Sequence, residues 1–349
     1  MNIVVMGGSF NPPTIAHLKI MQTALDTVNA QIGFLVPVSF PYLKRKMVKA
    51  GRSHLCLSNN LRIRMLEAMT ASDNRIRIFT DAMGDPFSDD VGIMNLMQCR
   101  YPNASIYYVS GADKLGLLDN FAKKKDFFDR FQCVLYARDS GCLTEEIDAH
   151  KHLAAYRDSL VLISPPDGIE SISSTKIREH LFDIDVVADM LHPDVVLLLR
   201  ALKSADFPEE ILQFKEEYAF LSNDYPAVVT YEGVAYPCAA SAFLSTKFDD
   251  PAEKKAIARM RLDKVKQKYN AKPGTAEGEE HKRSIMEEIV RLKFQQHPEL
   301  MDRLIETGNK RLINGNKKDE FWGVNPITWE GKNHLGTILM EVRSERETK

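Results

Sequence analysis

Residues Gly7–Leu18 read GGSFNPPTIAHL and directly follow the short apolar run Ile3–Met6. An apolar run closed by two glycines reads as a buried strand whose end turns sharply or lets a ligand approach the backbone. Pro12 and Pro13 hold off helix formation until Thr14. The segment HLKIMQTALDTV then carries helical periodicity, with His17 in its first turn. Free N–H groups and the positive dipole end of such a helix start favour an anion, and T-x-x-H spacing places Thr14 and His17 on one side of that turn. Taken alone, the stretch also reads as turn punctuation ahead of a polar histidine on a helix face.

Its surroundings decide between these readings. Apolar runs at Ile3–Met6, Ile32–Val36, Arg75–Phe79, Ser105–Val109, Cys133–Ala137 and Leu160–Ile163 alternate with helix-like segments such as LRIRMLEAM. That alternation predicts β-α-β units and a Rossmann-like, doubly wound parallel sheet, which binds ligands outside the carboxyl ends of its strands. Behind the last run, SISSTKIREHL (Ser171–Leu181) makes a second helix start, with Arg178 one turn after Ser174. Hydroxyls, backbone N–H groups and a guanidinium converge there on one anion.

At 349 residues the chain is long enough for two domains. Texture changes near Ala201, so the division expected is 1–200, a linker at 201–212, and 213–349. In the second half AVVTYEGVAYP reads as a hairpin about Glu232-Gly233. Asp250-Pro251 opens a helix carrying Ile257, Met260 and Val265 on one face, KRSIMEEIVRLKFQQ makes another, and NAKPGTAEGEE is the loop between them. This half is expected to be a helix-rich α+β fold.

A net charge of -2 removes the argument for non-specific nucleic-acid binding, so partners have to be argued from sites. The N-terminus lacks the pattern of a signal peptide, and no run approaches the roughly 20 apolar residues that span a bilayer. The five cysteines are scattered without C-x-x-C pairing, which predicts reduced thiols in a cytoplasm. His150 and His152, in the polar stretch EEIDAHKHL, read as solvated surface residues. Nothing in the sequence speaks to oligomeric state.

GGSFNPPTIAHL together with ISSTKIR resembles the nucleotidyltransferase superfamily marked by H/T-x-x-H and I-S-S-T-x-x-R, and within it the nicotinamide mononucleotide adenylyltransferases. The resemblance covers roughly residues 1 to 200. PVSFPYLKRK (Pro37–Lys46) is similar to the family's lysine-bearing loop, and VSGADKL (Val109–Leu115) to its G-A-D segment. The family's tryptophan after that segment is missing, and Phe121 is the nearest aromatic residue. The resemblance implies AMP transfer from ATP to nicotinamide mononucleotide or its acid form, with Mg²⁺ carried on ATP and no side chain ligating metal directly. It implies catalytic roles for Thr14, His17, Lys44 and Arg178. It also implies that Gly7, Gly8, Ser9, Phe10, Lys46, Gly111, Asp113, Phe121, Arg138, Ser173, Ser174 and Thr175 bind ATP or the mononucleotide. The alternatives are a pantetheine-phosphate adenylyltransferase and a non-catalytic NAD sensor.

In the second half FLSN, KDEFWG and GKNHLGTILMEVR resemble the NADAR domain over about 213–343. That family hydrolyses N-glycosidic bonds in riboflavin-pathway intermediates or removes ADP-ribose from nucleobases. By the resemblance Asn223, Lys247, Asp319, Trp322, Gly323 and Asn333 form its pocket. Where the family reads E-H this chain reads Ala240-Ser241, so two readings stand: an altered N-glycosidase in which Asp319 or Glu320 substitutes, or a non-catalytic module binding an ADP-ribose-type ligand.

Overall fold

The computed structural model describes residues 1–84, 89–124, 127–136, 143–164, 167–269 and 280–347. They fall into two compact units, Met1–Phe207 and Pro208–Lys349. Residues 208–212 therefore belong to the second unit rather than to a linker, because Glu210–Ile211 pairs in parallel with Arg311–Leu312.

The first unit is built on six parallel strands: β1 (Asn2–Gly8), β2 (Ile32–Pro37), β3 (Ile76–Ile78), β4 (Ser105–Gly111), β5 (Gln132–Tyr136) and β6 (Leu160–Ile163). Their order is β3-β2-β1-β4-β5-β6, the doubly wound arrangement. Side chains alternate through the sheet as a two-residue period requires. Val4 and Met6 of β1 pack with Leu18, Met21 and Met65 on one face, while Ile3 and Val5 pack with Ile93, Leu118 and Phe127 on the other. Strand order reverses between β1 and β4, so the crevice outside their carboxyl ends is bordered by Gly7-Gly8 and Gly111.

Two helices hold the mouth of that crevice. α1 (Ile15–Thr27) begins at the Thr14 cap, as the prolines predict. α2 (Phe40–Lys49) replaces the loop expected of PYLKRK. The Ser39 hydroxyl accepts from the Tyr42 N–H and Pro41 stands in the first turn, and these two local signals are enough to start a helix.

A third helix, α3 (Asn59–Thr70), buries Arg62 completely. Its guanidinium donates to the carbonyls of Ser9 and Val38, both at 2.8 Å, and to Asn59 Oδ1 at 2.6 Å. Burial lowers its pKa to about 10, still charged at neutral pH. Arg62 thereby ties the loop after β1 to the loop after β2.

In the second unit the expected hairpin is present, with Val229–Tyr231 antiparallel to Val234–Tyr236. Glu232 and Gly233 turn it with φ of +48° and +74°, the left-handed pair that matches strand twist. The helix expected after Asp250 is two, Pro251–Ala258 and Leu262–Tyr269. Short three-residue bonds at Arg259 and Met260 end the first, and the break lets Ile257 and Val265 both reach one apolar cluster. KRSIMEEIVRLKFQQ is helical over Lys282–Gln296. The proposed loop before it lies outside the described residues except for Glu280. Pro298–Ile305 and His334–Glu347 pack against this helix through Phe294, Leu304 and Leu339.

Arg62→Met removes three hydrogen bonds to half-buried acceptors, each contributing about 1 kcal/mol. Urea denaturation followed by circular dichroism is expected to show the first unit destabilised by about 3 kcal/mol, against less than about 0.5 kcal/mol for the exposed control Arg64→Met.

Candidate functional site

A cavity of about 400 Å³ opens at the reversal of strand order. Its floor is the end of β1, where a side chain at Gly8 would stand 2.8 Å from the Phe10 ring. Phe10 takes a left-handed φ of +42° and sets its ring edge-on to His17, centroids 5.0 Å apart. The backbone N–H of Thr14 donates to His17 Nδ1 at 3.0 Å, and the Thr14 hydroxyl lies 2.7 Å from the same nitrogen. A backbone donor fixes Nδ1 as an acceptor, which puts the ring proton on Nε2. The T-x-x-H spacing thus selects one tautomer as well as one face.

SISSTKIREHL meets this loop directly. The Ser174 hydroxyl donates to the Pro12 carbonyl and the Arg178 guanidinium to the Asn11 carbonyl, both at 2.8 Å. Arg178 also donates to the Thr175 hydroxyl at 2.9 Å, and Ser173 caps the short helix Ser174–Glu179 by accepting from the Lys176 N–H. Asn11, fully buried, is held by the Leu55 carbonyl and the Leu57 N–H. Ser173, Ser174, Thr175 and Arg178 all line the cavity, joined by Gly7, Ser9, Thr14 and His17.

Lys46 faces the cavity from α2, its ammonium 3.2 Å from Ser9 Oγ. Desolvation lowers its pKa first, the charges of Lys114 and Arg178 add to that, and Asp113 and Asp90 oppose it. With Glu170, six charged side chains share this space. Gly111 leaves room for Asp113, whose Oδ1 would lie 2.4 Å from any side chain built there.

Two of the expected site residues are placed away from the cavity, and a third is not described. Lys44 is buried, and its ammonium donates to the Ser53 carbonyl at 2.7 Å, so Lys46 is the lysine presented to the cavity. α2 explains the difference, since residues two apart on a helix face different ways. Phe121 is a core residue, stacked 5.2 Å from Phe127, and the cavity is lined instead by Tyr42 and Tyr136. Arg138 lies outside the described residues.

The second unit holds a cavity of about 360 Å³. Asn223, Lys247, Asp319 and Trp322 line it. Gly323 and Asn333 build its wall without lining it. A side chain at Gly323 would meet the Asn314 carbonyl at 2.3 Å, and Asn333 bridges the Asn314 N–H and the Leu312 carbonyl. Ala240 borders the space, whereas Ser241 is fully buried beside Cys238. Asp319 Oδ1 accepts from the N–H groups of Phe321 and Trp322, at 3.1 and 3.0 Å. Glu320 is exposed and outside the lining.

Comparison with known proteins assigns both units. Residues 5–180 match the cytidylyltransferase-like family. The chain belongs to that family. Residues 207–346 match the NADAR domain. A protein of Pseudothermotoga lettingae named "Probable nicotinate-nucleotide adenylyltransferase" is 25% identical over 194 residues, 55% of this chain and 92% of the relative. N-glycosidase YbiA of Escherichia coli is 29% identical over 133 residues, 37% of this chain and 82% of the relative. N-glycosidase R617 of Acanthamoeba polyphaga mimivirus is 40% identical over 79 residues, 20% of this chain. The chain spans 46% of the length of that viral relative.

Of the residues around the cytidylyltransferase-like cavity, Asp90, Lys114, Tyr42 and Tyr136 escaped the sequence reading. Tyr136 ends the strand expected at Cys133–Ala137, and its position at a carboxyl end is the available signal. Asp90 and Lys114 approach one another to 3.6 Å across 24 residues of chain, and no local pattern announces such a pair. In the NADAR domain Lys293 escaped too. Its amine is buried and donates to the carbonyls of Phe220 and Ser222, at 2.6 and 2.8 Å, which fixes the segment leading to Asn223.

Burial pushes the Lys293 amine down to about 7 from an ordinary 10.5, with Cys238 and Asp224 opposing. Between those values the unfolded chain binds a proton that the folded chain does not, so stability rises with pH across that window. Thermal unfolding between pH 6.5 and 9 is expected to show a steeper rise of the NADAR transition in the wild type than in Lys293→Met.

Proposed function

We propose that the first unit transfers AMP from ATP to nicotinamide mononucleotide, forming NAD and releasing pyrophosphate. The observation that carries this reading is the pair of bonds from Ser174 and Arg178 to the Pro12 and Asn11 carbonyls. They bring two helix starts, each suited to anions, to one cavity at the point where doubly wound sheets bind nucleotides. The relative named for the nicotinate reaction supports the same class of chemistry.

In this reaction a phosphate oxygen of the mononucleotide bonds to the α-phosphorus of ATP, and the α–β bridging bond breaks with its electrons leaving on pyrophosphate. The protein has to hold two anions in line and offset charge as it shifts toward the leaving group. His17 Nε2–H donates to the α-phosphate, with Thr14 holding the ring in that tautomer. Lys46 and Arg178 take the β- and γ-phosphates. Asp113 accepts from ribose hydroxyls. Mg²⁺, when bound, neutralises the polyphosphate.

Pyrophosphate release from ATP is expected to require a pyridine mononucleotide, the amide or its acid form. His17→Ala is expected to lower kcat/KM about 100- to 1,000-fold, the range seen when one transition-state donor is lost. Lys46→Ala is expected to lower kcat/KM about tenfold or more, with no loss of thermal stability. Release without any mononucleotide, or full activity in His17→Ala, contradicts the assignment.

A further inference from the structure

A partly buried ion pair stands where strand order reverses between β1 and β4. Asp90 opens α4 (Asp90–Arg100), the helix after β3, and Lys114 ends the turn after β4. Their charged heads lie 3.6 Å apart, and both residues line the cavity. Tyr108 of β4, fully buried, orients the two together. The Lys114 ammonium donates to its hydroxyl at 3.4 Å, and that hydroxyl is bonded in turn to Asp90. Burial first, and then the Asp90 charge, raise the Tyr108 pKa well above its ordinary value, so the phenol keeps its proton and shares it with the carboxylate. Gly7 makes room for this arrangement, since a side chain there would come within 3.2 Å of Asp90 Oδ1.

A buried tyrosine that keeps a lysine and an aspartate side by side presents one donor and one acceptor to the cavity. The separation of 3.6 Å exceeds hydrogen-bond length, so neither head is committed to the other. A primary carboxamide is the complement, with a carbonyl that accepts from Lys114 and an NH₂ that donates to Asp90. A carboxylate only accepts, and it brings a second negative charge to Asp90. The charge of the whole cavity does not choose between these groups, because Lys46, Lys114 and Arg178 stand against Asp90, Asp113 and Glu170. The choice falls to the side chains that touch the group.

Ser174 and Arg178 lie beyond β6 and Asp90 lies beyond β3, in the two halves of the doubly wound sheet. With the triphosphate assigned to Arg178, the half from which Asp90 comes is left to the mononucleotide. We infer that Asp90 and Lys114 read the substituent of the pyridine ring and select the amide mononucleotide over its acid form. This role rests on the AMP transfer proposed above.

The two mononucleotides are compared by kcat/KM for pyrophosphate release from ATP and by calorimetric titration of the full chain without ATP. Wild type is expected to favour the amide by about tenfold or more, the effect of one hydrogen bond to a charged group. Asp90→Asn keeps the size of the side chain and ends the repulsion, and is expected to move the preference about tenfold toward the acid. Lys114→Met removes the donor and keeps Asp90, and is expected to move the preference about tenfold toward the amide. A merely structural pair, or a misfolded variant, would weaken both substrates alike, so the opposite shifts are the signature. Absence of an amide preference in wild type overturns the inference, as does an unchanged preference in the two variants. A loss confined to the KM of ATP also overturns it, since the pair would then belong to the adenine edge. The expected preferences in titration without any pyrophosphate release uphold the pair's role and count against the transfer reaction, so the two failures are distinct.

Discussion

The Ser174 hydroxyl and the Arg178 guanidinium donate to the carbonyls of Pro12 and Asn11 across more than 160 residues of chain. Those carbonyls belong to a loop that proline has barred from making its own helical bonds, so outside donors are needed to fix it. Arg62 supplies another at Ser9, and Asn11 is itself held through its side chain by Leu55 and Leu57. With the loop fixed, Phe10, Thr14 and His17 have one arrangement each. The anion-binding geometry proposed for the first unit therefore depends on three distant elements, two that satisfy the loop's main-chain carbonyls and one that holds the Asn11 side chain.

This arrangement explains why two motifs at opposite ends of a domain carry meaning together. Polar side chains that serve the loop also line the cavity, so each has a structural and a chemical duty. Buried guanidinium groups are expensive unless hydrogen-bonded, and the two terminal nitrogens of Arg62 meet three acceptors at short range. The second unit uses a similar device, with the Lys293 amine donating to the Phe220 and Ser222 carbonyls behind its own cavity. In both units a buried basic side chain organises the loop from which the site is made.

Much of this was legible in the chain. Short apolar runs, the proline-delayed helix start and the Glu232-Gly233 turn are local signals, and each leads to the element observed. The side-chain assignments that changed are those where helix phase or tertiary packing decides. Lys44 and Lys46 are indistinguishable in PYLKRK until α2 turns one inward and the other toward the cavity. Phe121 stands where an aromatic residue was wanted, yet the cluster of Phe127, Phe128 and Phe131 draws it into the core. Gly323 and Asn333 were found by resemblance as pocket residues, and their work is to let backbone segments approach behind the pocket. Arg62 and Lys293 sit in amphipathic helices where any reading of pattern leaves a cation in solvent.

The central claim is that the loop after β1 and the Ser174–Glu179 helix act as one unit in binding and turnover. A double-mutant cycle with His17→Ala and Ser174→Ala, measured on kcat/KM for pyrophosphate release from ATP and nicotinamide mononucleotide, tests it directly. Residues in one network couple by about 0.5 to 3 kcal/mol, and the account predicts a coupling of at least about 1 kcal/mol, with the double variant less impaired than the sum of the single ones. Effects that add to within about 0.3 kcal/mol would mean the two motifs work independently, and the account would be wrong.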